Sequence, residues 1–402
     1  MWAGWSAAPR RKSPWRIRLG TAVSILPFAD HTDYTPIMST FGDSSTGCVW
    51  PQAVLHLDMD AFYANVHILD HPEDAGVPLV IGGQPGARGV VASASYEARK
   101  LGIRSAMPTS TAVRLCPQLK IIPANWPRIR ECSRQVMDIL AEYGPVEQIS
   151  VDEAYIDLAE WPDPLPLAEE IRTAVHTQTQ LPASVGLATS KLVAKVASDH
   201  EKPAGCTIVL PGHEAAFLAP LSTRVIWGIG PRTAEKLAGA GIHTCGELAA
   251  ADTAVLRAQF GRQAEDLQRR ALGQDERQVH AERGQPKSIS QEWTFNQDVA
   301  DPARLQEQIR LQAESVAKSL QKRNLVAHTV RVKFRWADFT TFTRQKSVEI
   351  GLDDAEGICR LALAIWQENW PPGQRMRLIG VGVSGLAEVT QRQLGFRFDE
   401  ET

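Results

Sequence analysis

No stretch of this 402-residue chain approaches the roughly 18–20 uncharged apolar residues that a membrane-spanning helix needs, which argues against a membrane protein. Cysteine is sparse: Cys48, Cys116, Cys132, Cys206, Cys245 and Cys359 are scattered, without a C-x-x-C pair or histidines at zinc-ligand spacing. That speaks against a zinc module or a disulfide scaffold and for reduced thiols in a cytoplasm. There is no internal repeat, so no solenoid. There is also little net charge, −3, which taken alone is a weak argument against a polyanionic partner. What is present, 44% apolar and 22% charged residues, is the composition of a folded, soluble chain. At about 150 residues per domain it has room for two to four domains.

The small total hides an uneven distribution. Residues 53–205 carry 13 basic and 19 acidic side chains, whereas 318–346 hold eight Lys or Arg against the single acid Asp338. Residues 1–52 show no sustained period and include Arg10, Arg11, Lys12, Arg16 and Arg18. They read as a disordered extension without assigned function, Met38 being an alternative start. From Ala53 strands and helices alternate, as in an α/β segment: strands at 54–60, 77–81, 89–94 and 148–158, and a helix over 131–143. Between 207 and 282 short helical stretches punctuated by glycine predict a small helical domain, and 279–289 reads as a tether. Beyond it, a strand at 291–296, a helix capped by Asp301-Pro302, alternation over 330–336, a helix over 353–369 and a strand at 377–383 predict a βαββαβ unit.

Three acids stand in apolar settings: Asp58 at the end of one strand, and Asp152 and Glu153 in the run Ser150-Val151-Asp152-Glu153-Ala154-Tyr155. Buried carboxylates are costly unless paired or metal-bound, so two such strands side by side make sense as a holder of divalent cations. Two hard cations about 3.5–4 Å apart suit phosphoryl transfer. Asp152 and Glu153 would face opposite sides of a regular strand, so a turn or bulge must bring them together. Asp60 shares a face with Asp58 and competes as a ligand, and capping or pairing with Arg is the ordinary alternative for each acid.

Leu57-Asp58-Met59-Asp60-Ala61-Phe62-Tyr63-Ala64, Tyr96-Glu97-Ala98-Arg99-Lys100-Leu101-Gly102-Ile103, Ser150 to Tyr155, and Gly186-Leu187-Ala188-Thr189-Ser190-Lys191 follow one another as in the Y-family DNA polymerases, and the sequence resembles their DinB branch from about 54 to 386. The resemblance implies a right-hand polymerase: palm at 53–61 and 125–205, fingers at 62–124, helix-hairpin-helix thumb at 206–283, linker at 284–290, βαββαβ little finger at 291–388 and a tail at 389–402. It also implies an error-prone translesion activity without proofreading. Two Mg²⁺ ions, with Mn²⁺ as a substitute, would be held by Asp58, the Met59 carbonyl, Asp152 and Glu153. Tyr63 would be a steric gate against the ribose 2′-hydroxyl, with Phe62 in the core, and Tyr96, Arg99 and Lys191 would bind the dNTP triphosphate.

For the DNA, Gly228 and Gly230 of the run Trp227-Gly228-Ile229-Gly230-Pro231 free backbone N–H groups at a helix start to meet a phosphate. Arg331, Lys333 and Arg335 alternate with Val330, Val332, Phe334 and Trp336, leaving one strand face basic as a phosphate track. Gln391-Arg392-Gln393-Leu394-Gly395-Phe396 resembles the peptide by which bacterial polymerases bind the sliding clamp through Gln391, Leu394 and Phe396. Primer–template DNA, dNTP and the clamp are the expected partners of a cytoplasmic monomer. A catalytically inert scaffold of the same fold, a UmuC-like polymerase and a deoxycytidyl transferase remain the alternatives; the three acids speak against the scaffold.

Overall fold

A computed structural model describes the backbone of Ile37–Phe41 and residues 49–282 and 284–389, all within one unit spanning 34–402. Their strands are, in chain order, β1 (Ile37–Phe41), β2 (Val54–Met59), β3 (Leu79–Gly82), β4 (Val91–Ala94), β5 (Lys120–Ile122), β6 (Val146–Gln148), β7 (Glu153–Asp157), β8 (Ala183–Ala188), β9 (Gly205–Val209), β10 (Ser288–Val299), β11 (Leu325–Trp336), β12 (Thr341–Leu352) and β13 (Met376–Glu388). They build three sheets, ordered β1-β9-β8-β2-β7-β6, β4-β3-β5 and β10-β13-β11-β12.

In the first sheet β2 is buried throughout, and its two faces do different work. Leu55, Leu57 and Met59 join Ile129, Val136, Ile139 and Ile171 in the core. Val54 packs with Leu192 and Val193 of the helix Lys191–His200, toward which His56 and Asp58 also turn. The helix Trp126–Ala141 starts at Asn125, whose side chain accepts from the Arg128 N–H. Its buried positions Ile129, Cys132, Val136, Ile139 and Leu140 recur at helical spacing, and each large apolar side chain so buried stabilises by about 1.5–3 kcal/mol. Gly186 lets the helix Lys191–His200 lie close on β8: a Cβ there would stand 2.2 Å from the Ala194 carbonyl oxygen.

Several expectations need correction. The extension is not structureless up to residue 52, because β1 pairs in parallel with β9. Five residues are too few to show a period, and the edge of β9 offers hydrogen bonds that such a segment can take. β9 itself belongs to the sheet, with Cys206 and Ile208 buried, so the helical region begins at Glu214–Leu218 rather than at 206. The run 148–158 is not one strand: β6 ends at Gln148, residues 149–152 turn, and β7 returns antiparallel. Finally, the stretch before the last domain is partly fastened, since the His280 N–H donates to Glu147 at 2.8 Å.

The helices Glu214–Leu218, Pro231–Gly239, Cys245–Ala250, Thr253–Phe260 and Ala264–Ala271 close over Leu218, Leu237, Leu248, Leu256 and Leu267. In the last sheet the helices Pro302–Gln321 and Ala355–Asn369 cover Val330, Val332, Phe334, Ile379 and Val381, giving the βαββαβ order that the periodicity predicts. Between these buried positions Arg331, Lys333 and Arg335 are only partly buried, beside Gly380 and Gly382.

Candidate active site

The turn between β6 and β7 gathers the acids. Asp58 of β2 lies directly opposite Glu153 of β7, and the Met59 N–H donates to the Asp152 carbonyl at 3.0 Å, fixing the turn against the end of β2. Ser150 organises it further: its hydroxyl donates to the Asp152 carboxylate and accepts from the N–H groups of Asp152 (3.2 Å) and Glu153 (3.0 Å). Asp152 thus stands in the turn rather than in the strand, which removes the conflict of facing directions. Asp58, Met59 and Asp152 line a cavity of about 220 Å³ together with Tyr63, Arg99 and Lys202.

Three lysines run along the acids. Lys191 and Lys195 share one side of the helix Lys191–His200, and Lys202 follows just beyond its end. They meet Glu147 (2.6 Å), Glu153 (2.8 Å) and Asp58 (2.7 Å) in turn. Burial pushes the Asp58 carboxyl up to about 7, Glu153 adding to the rise and Lys202 opposing it. Burial also acts upward on Glu153, but the hydrogen bond and charge of Lys195 outweigh it and hold that carboxyl below its usual range. Lys202, despite the downward effect of burial, is pushed up to about 12 by Asp58 and Asp199.

Lys191 is therefore not where the resemblance put it. It is buried against Glu147 and the Tyr155 ring, with Nζ 4.8 Å from the ring centroid, and is not among the cavity-lining residues. The cavity's own cations are Arg99 and Lys202. Lys202 escaped the sequence reading because nothing local ties it to Asp58, and it follows the end of the helix rather than sharing a face with Lys191 and Lys195.

Asp60 is not a ligand in this arrangement either. It is 1% exposed, and its carboxylate accepts from the Ser184 hydroxyl (2.9 Å), the Ala204 N–H (2.8 Å) and the Tyr96 hydroxyl (3.0 Å). It thereby holds Tyr96 and the backbone beside Lys202. Asparagine keeps an acceptor for Ala204 and offers an amide donor to the hydroxyls. Asp60→Asn should accordingly stay within about 1 kcal/mol of wild type in kcat/KM, the scale of one altered hydrogen bond. Steady-state primer extension checks this, and a loss as deep as that of Asp58→Asn would make Asp60 a ligand after all.

Tyr63 is half-buried at the cavity, its ring 5.5 Å from Trp126 and 5.7 Å from the buried Phe62. Burial, with the charge of Asp152, raises its hydroxyl pKa, so the phenol stays neutral. The Arg99 guanidinium lies 4.8 Å over the Tyr96 ring while its Nε donates to the Ala94 carbonyl. Away from the cavity, Gly228 has φ +94°, and Gly230 opens the helix Pro231–Gly239 without a side-chain cap. On the last sheet Lys333 pairs with Glu292 at 2.8 Å and Arg335 donates to Thr341 at 2.8 Å, while Arg331 lines a shallow groove. Gln391, Leu394 and Phe396 lie outside the described residues.

Among the described residues no three His, Cys, Asp or Glu side chains are gathered to hold a metal ion. Asp58 and Glu153 are instead turned onto Lys202 and Lys195. The donor set nevertheless suits a hard cation: three carboxylates and the Met59 carbonyl at two adjoining strand ends, all oxygen. Cations already neutralise two of these acids, and lysine side chains are long enough to yield the position.

A six-stranded sheet with acids at adjoining strand ends beside Arg99 and Lys202, followed by a helical domain and a βαββαβ domain, has the architecture of a nucleotidyl-transfer enzyme of the right-hand type. Residues 57–199 match the model of the impB/mucB/samB family, and 286–396 that of the impB/mucB/samB family C-terminal domain. DNA polymerase IV of Alkalilimnicola ehrlichii is 39% identical over 85% of this chain and 97% of its own, and DNA polymerase IV of Methanoculleus marisnigri 41% identical over 85% and 96%. The Y-family DNA polymerase chimera Dbh-Dpo4(243-245)-Dbh superposes with a TM-score of 0.74 at 25% identity, covering 84% of this chain and 99% of the chimera. The chain belongs to the Y-family of DNA polymerases, and as a member it is a translesion DNA polymerase with a requirement for a divalent metal ion.

Proposed function

We propose that this polymerase adds dNMP to a primer 3′-hydroxyl opposite a template, with Asp58, Asp152, Glu153 and the Met59 carbonyl as ligands of two Mg²⁺ ions, replaceable by Mn²⁺. The observation that carries the reading is the meeting of these acids from distant segments beside Arg99 and Lys202. The ions would supply electrostatic stabilisation at the α-phosphate and lower the pKa of the attacking hydroxyl. Arg99 and Lys202 bind the triphosphate with Tyr96, Lys202 taking the part first expected of Lys191. The hydroxyl oxygen bonds to the α-phosphorus, the bond to the bridging oxygen breaks, and pyrophosphate leaves. Tyr63, braced by Trp126, excludes the ribose 2′-hydroxyl.

The first sheet with its helices is the palm and β4-β3-β5 the fingers. The helices from Glu214 to Ala271 are the thumb and residues 288–388 the little finger. The Gly228–Gly230 turn and the face of Arg331, Lys333 and Arg335 grip duplex phosphates without reading sequence. Gln391, Leu394 and Phe396 dock a sliding clamp, the chain acts as a monomer, and it works in the cytoplasm with reduced cysteines.

The test is extension of a labelled primer with dNTPs in Mg²⁺ and in chelator, with and without clamp. Mg²⁺-dependent extension is expected, with clamp stimulation that vanishes when Gln391–Phe396 is deleted while basal synthesis persists. No extension in any divalent metal, with DNA binding intact, favours the scaffold; stimulation surviving the deletion sinks the clamp peptide.

A further inference from the structure

The block Ser190-Lys191-Leu192, which the catalytic cavity does not use, is occupied with a different task. The Ser190 hydroxyl donates to the Gly273 carbonyl (3.3 Å), and the Leu192 N–H donates to Asp275 (3.0 Å). Lys191 donates to Glu147 (2.6 Å) and to the Gln278 carbonyl (3.4 Å). Glu147 in turn accepts the His280 N–H at 2.8 Å. The strap 273–280, which leaves the helical domain for the last domain, is thus fastened to the palm at successive points. Glu147 is the one nearest the last domain along the strap. It sits on β6 opposite Tyr155 of β7, within the hairpin that carries Asp152 and Glu153.

We infer that Glu147 and Lys191 form a latch that pins the strap to the catalytic hairpin, with Glu147 the positioning residue that sets where the free tether to the DNA-gripping last domain begins. With the latch closed the free tether starts at 281, seven residues before β10; without it the strap beyond Asp275 is held only by the packing of Val279 and the stacking of Arg277 on Trp227, so the free length grows to at most the twelve residues 276–287. Two binding modules on one tether share an effective concentration that falls as about the −3/2 power of its length. The latch therefore tightens DNA binding without touching the nucleotide. The inference rests on the last domain's role in gripping DNA.

Removing one charge alone would leave its partner buried and unpaired, so the test uses two double variants that leave neither. Glu147→Gln/Lys191→Met keeps an acceptor for the His280 N–H, and Glu147→Met/Lys191→Met removes it. The second should bind primer–template DNA more weakly than the first, by up to about twofold from tether length alone. Its amide exchange over 278–282 should be at least about tenfold faster, as local opening is released. Melting temperature, dNTP KM and single-turnover rate at saturating DNA should be equal in the two. Equal DNA affinity and equal exchange would overturn the latch, as would a loss confined to the single-turnover rate. Should the second variant melt below assay temperature, His280→Pro, which removes the N–H that Glu147 accepts, must show the same loss. Arg331→Ala/Lys333→Ala, run alongside, tests the DNA-gripping face itself; if that variant binds DNA as wild type does, the role of the last domain fails independently of the latch.

Discussion

Replacing Asp152 and Glu153 together by alanine should lower primer extension at least about a thousandfold, roughly 4 kcal/mol of transition-state stabilisation, while leaving DNA affinity and melting temperature nearly unchanged. The reasons lie in the geometry. Glu153 faces Asp58 across the strand pair and adds to the rise of the Asp58 carboxyl, while the hydrogen bond and charge of Lys195 hold its own carboxyl below the usual range. Removing Glu153 eases the ionisation of Asp58 but gives up the ion pair with Lys195, so the two effects offset one another in the fold. Lys195, freed of Glu153, retains access to water. The turn at Gly228 and the basic face of β11, proposed to hold the DNA, lie on other elements, so binding should persist. Single-turnover extension and fluorescence anisotropy, measured on the same preparations, separate the two effects. If activity falls only in step with stability, the acids are structural and the two-metal reading is lost.

How much of this was legible beforehand differed with the range of the interaction. Asp58 and Glu153 declared themselves because a charged residue inside an apolar strand is conspicuous within a few residues of sequence, and the need for a turn before Glu153 followed from strand alternation alone. Arg331, Lys333 and Arg335 were equally visible, for period two writes a sheet's faces directly into the chain. Lys202 and Lys191 were confused because a lysine's task depends on which element it faces, and their partners Asp58 and Glu147 are remote in sequence. The spacing of the lysines did not carry that information either: Lys191 and Lys195 lie on the helix, while Lys202 follows its end. Asp60 misled for a related reason: period two puts it on the face of Asp58, yet beyond the end of β2 the chain bends, and the carboxylate is claimed by Ser184, Ala204 and Tyr96. β1 and β9 were missed as sheet members because pairing of short edge segments is decided by the neighbour's free backbone groups and leaves no periodic trace.

Tyr63→Ala should reduce discrimination against ribonucleotides by about a hundredfold, the range that a close-fitting pocket wall contributes against one added hydroxyl. The ring lines the cavity with Asp58 and Asp152, and it cannot swing aside freely because Trp126 meets it edge-on and Phe62 backs it. Removing it opens space where a 2′-hydroxyl would otherwise collide, without taking away a metal ligand or a phosphate-binding cation. Incorporation of dNTP should therefore fall far less than selectivity does. Tyr63→Phe keeps the wall and loses only a neutral hydroxyl, so it should discriminate nearly as wild type does. The ratio of kcat/KM for a dNTP to that for the matching rNTP, determined for all three proteins, decides the matter. An unchanged ratio in Tyr63→Ala would assign the ring to core packing, and equal losses in the alanine and phenylalanine variants would shift the discrimination from the ring's shape to its hydroxyl.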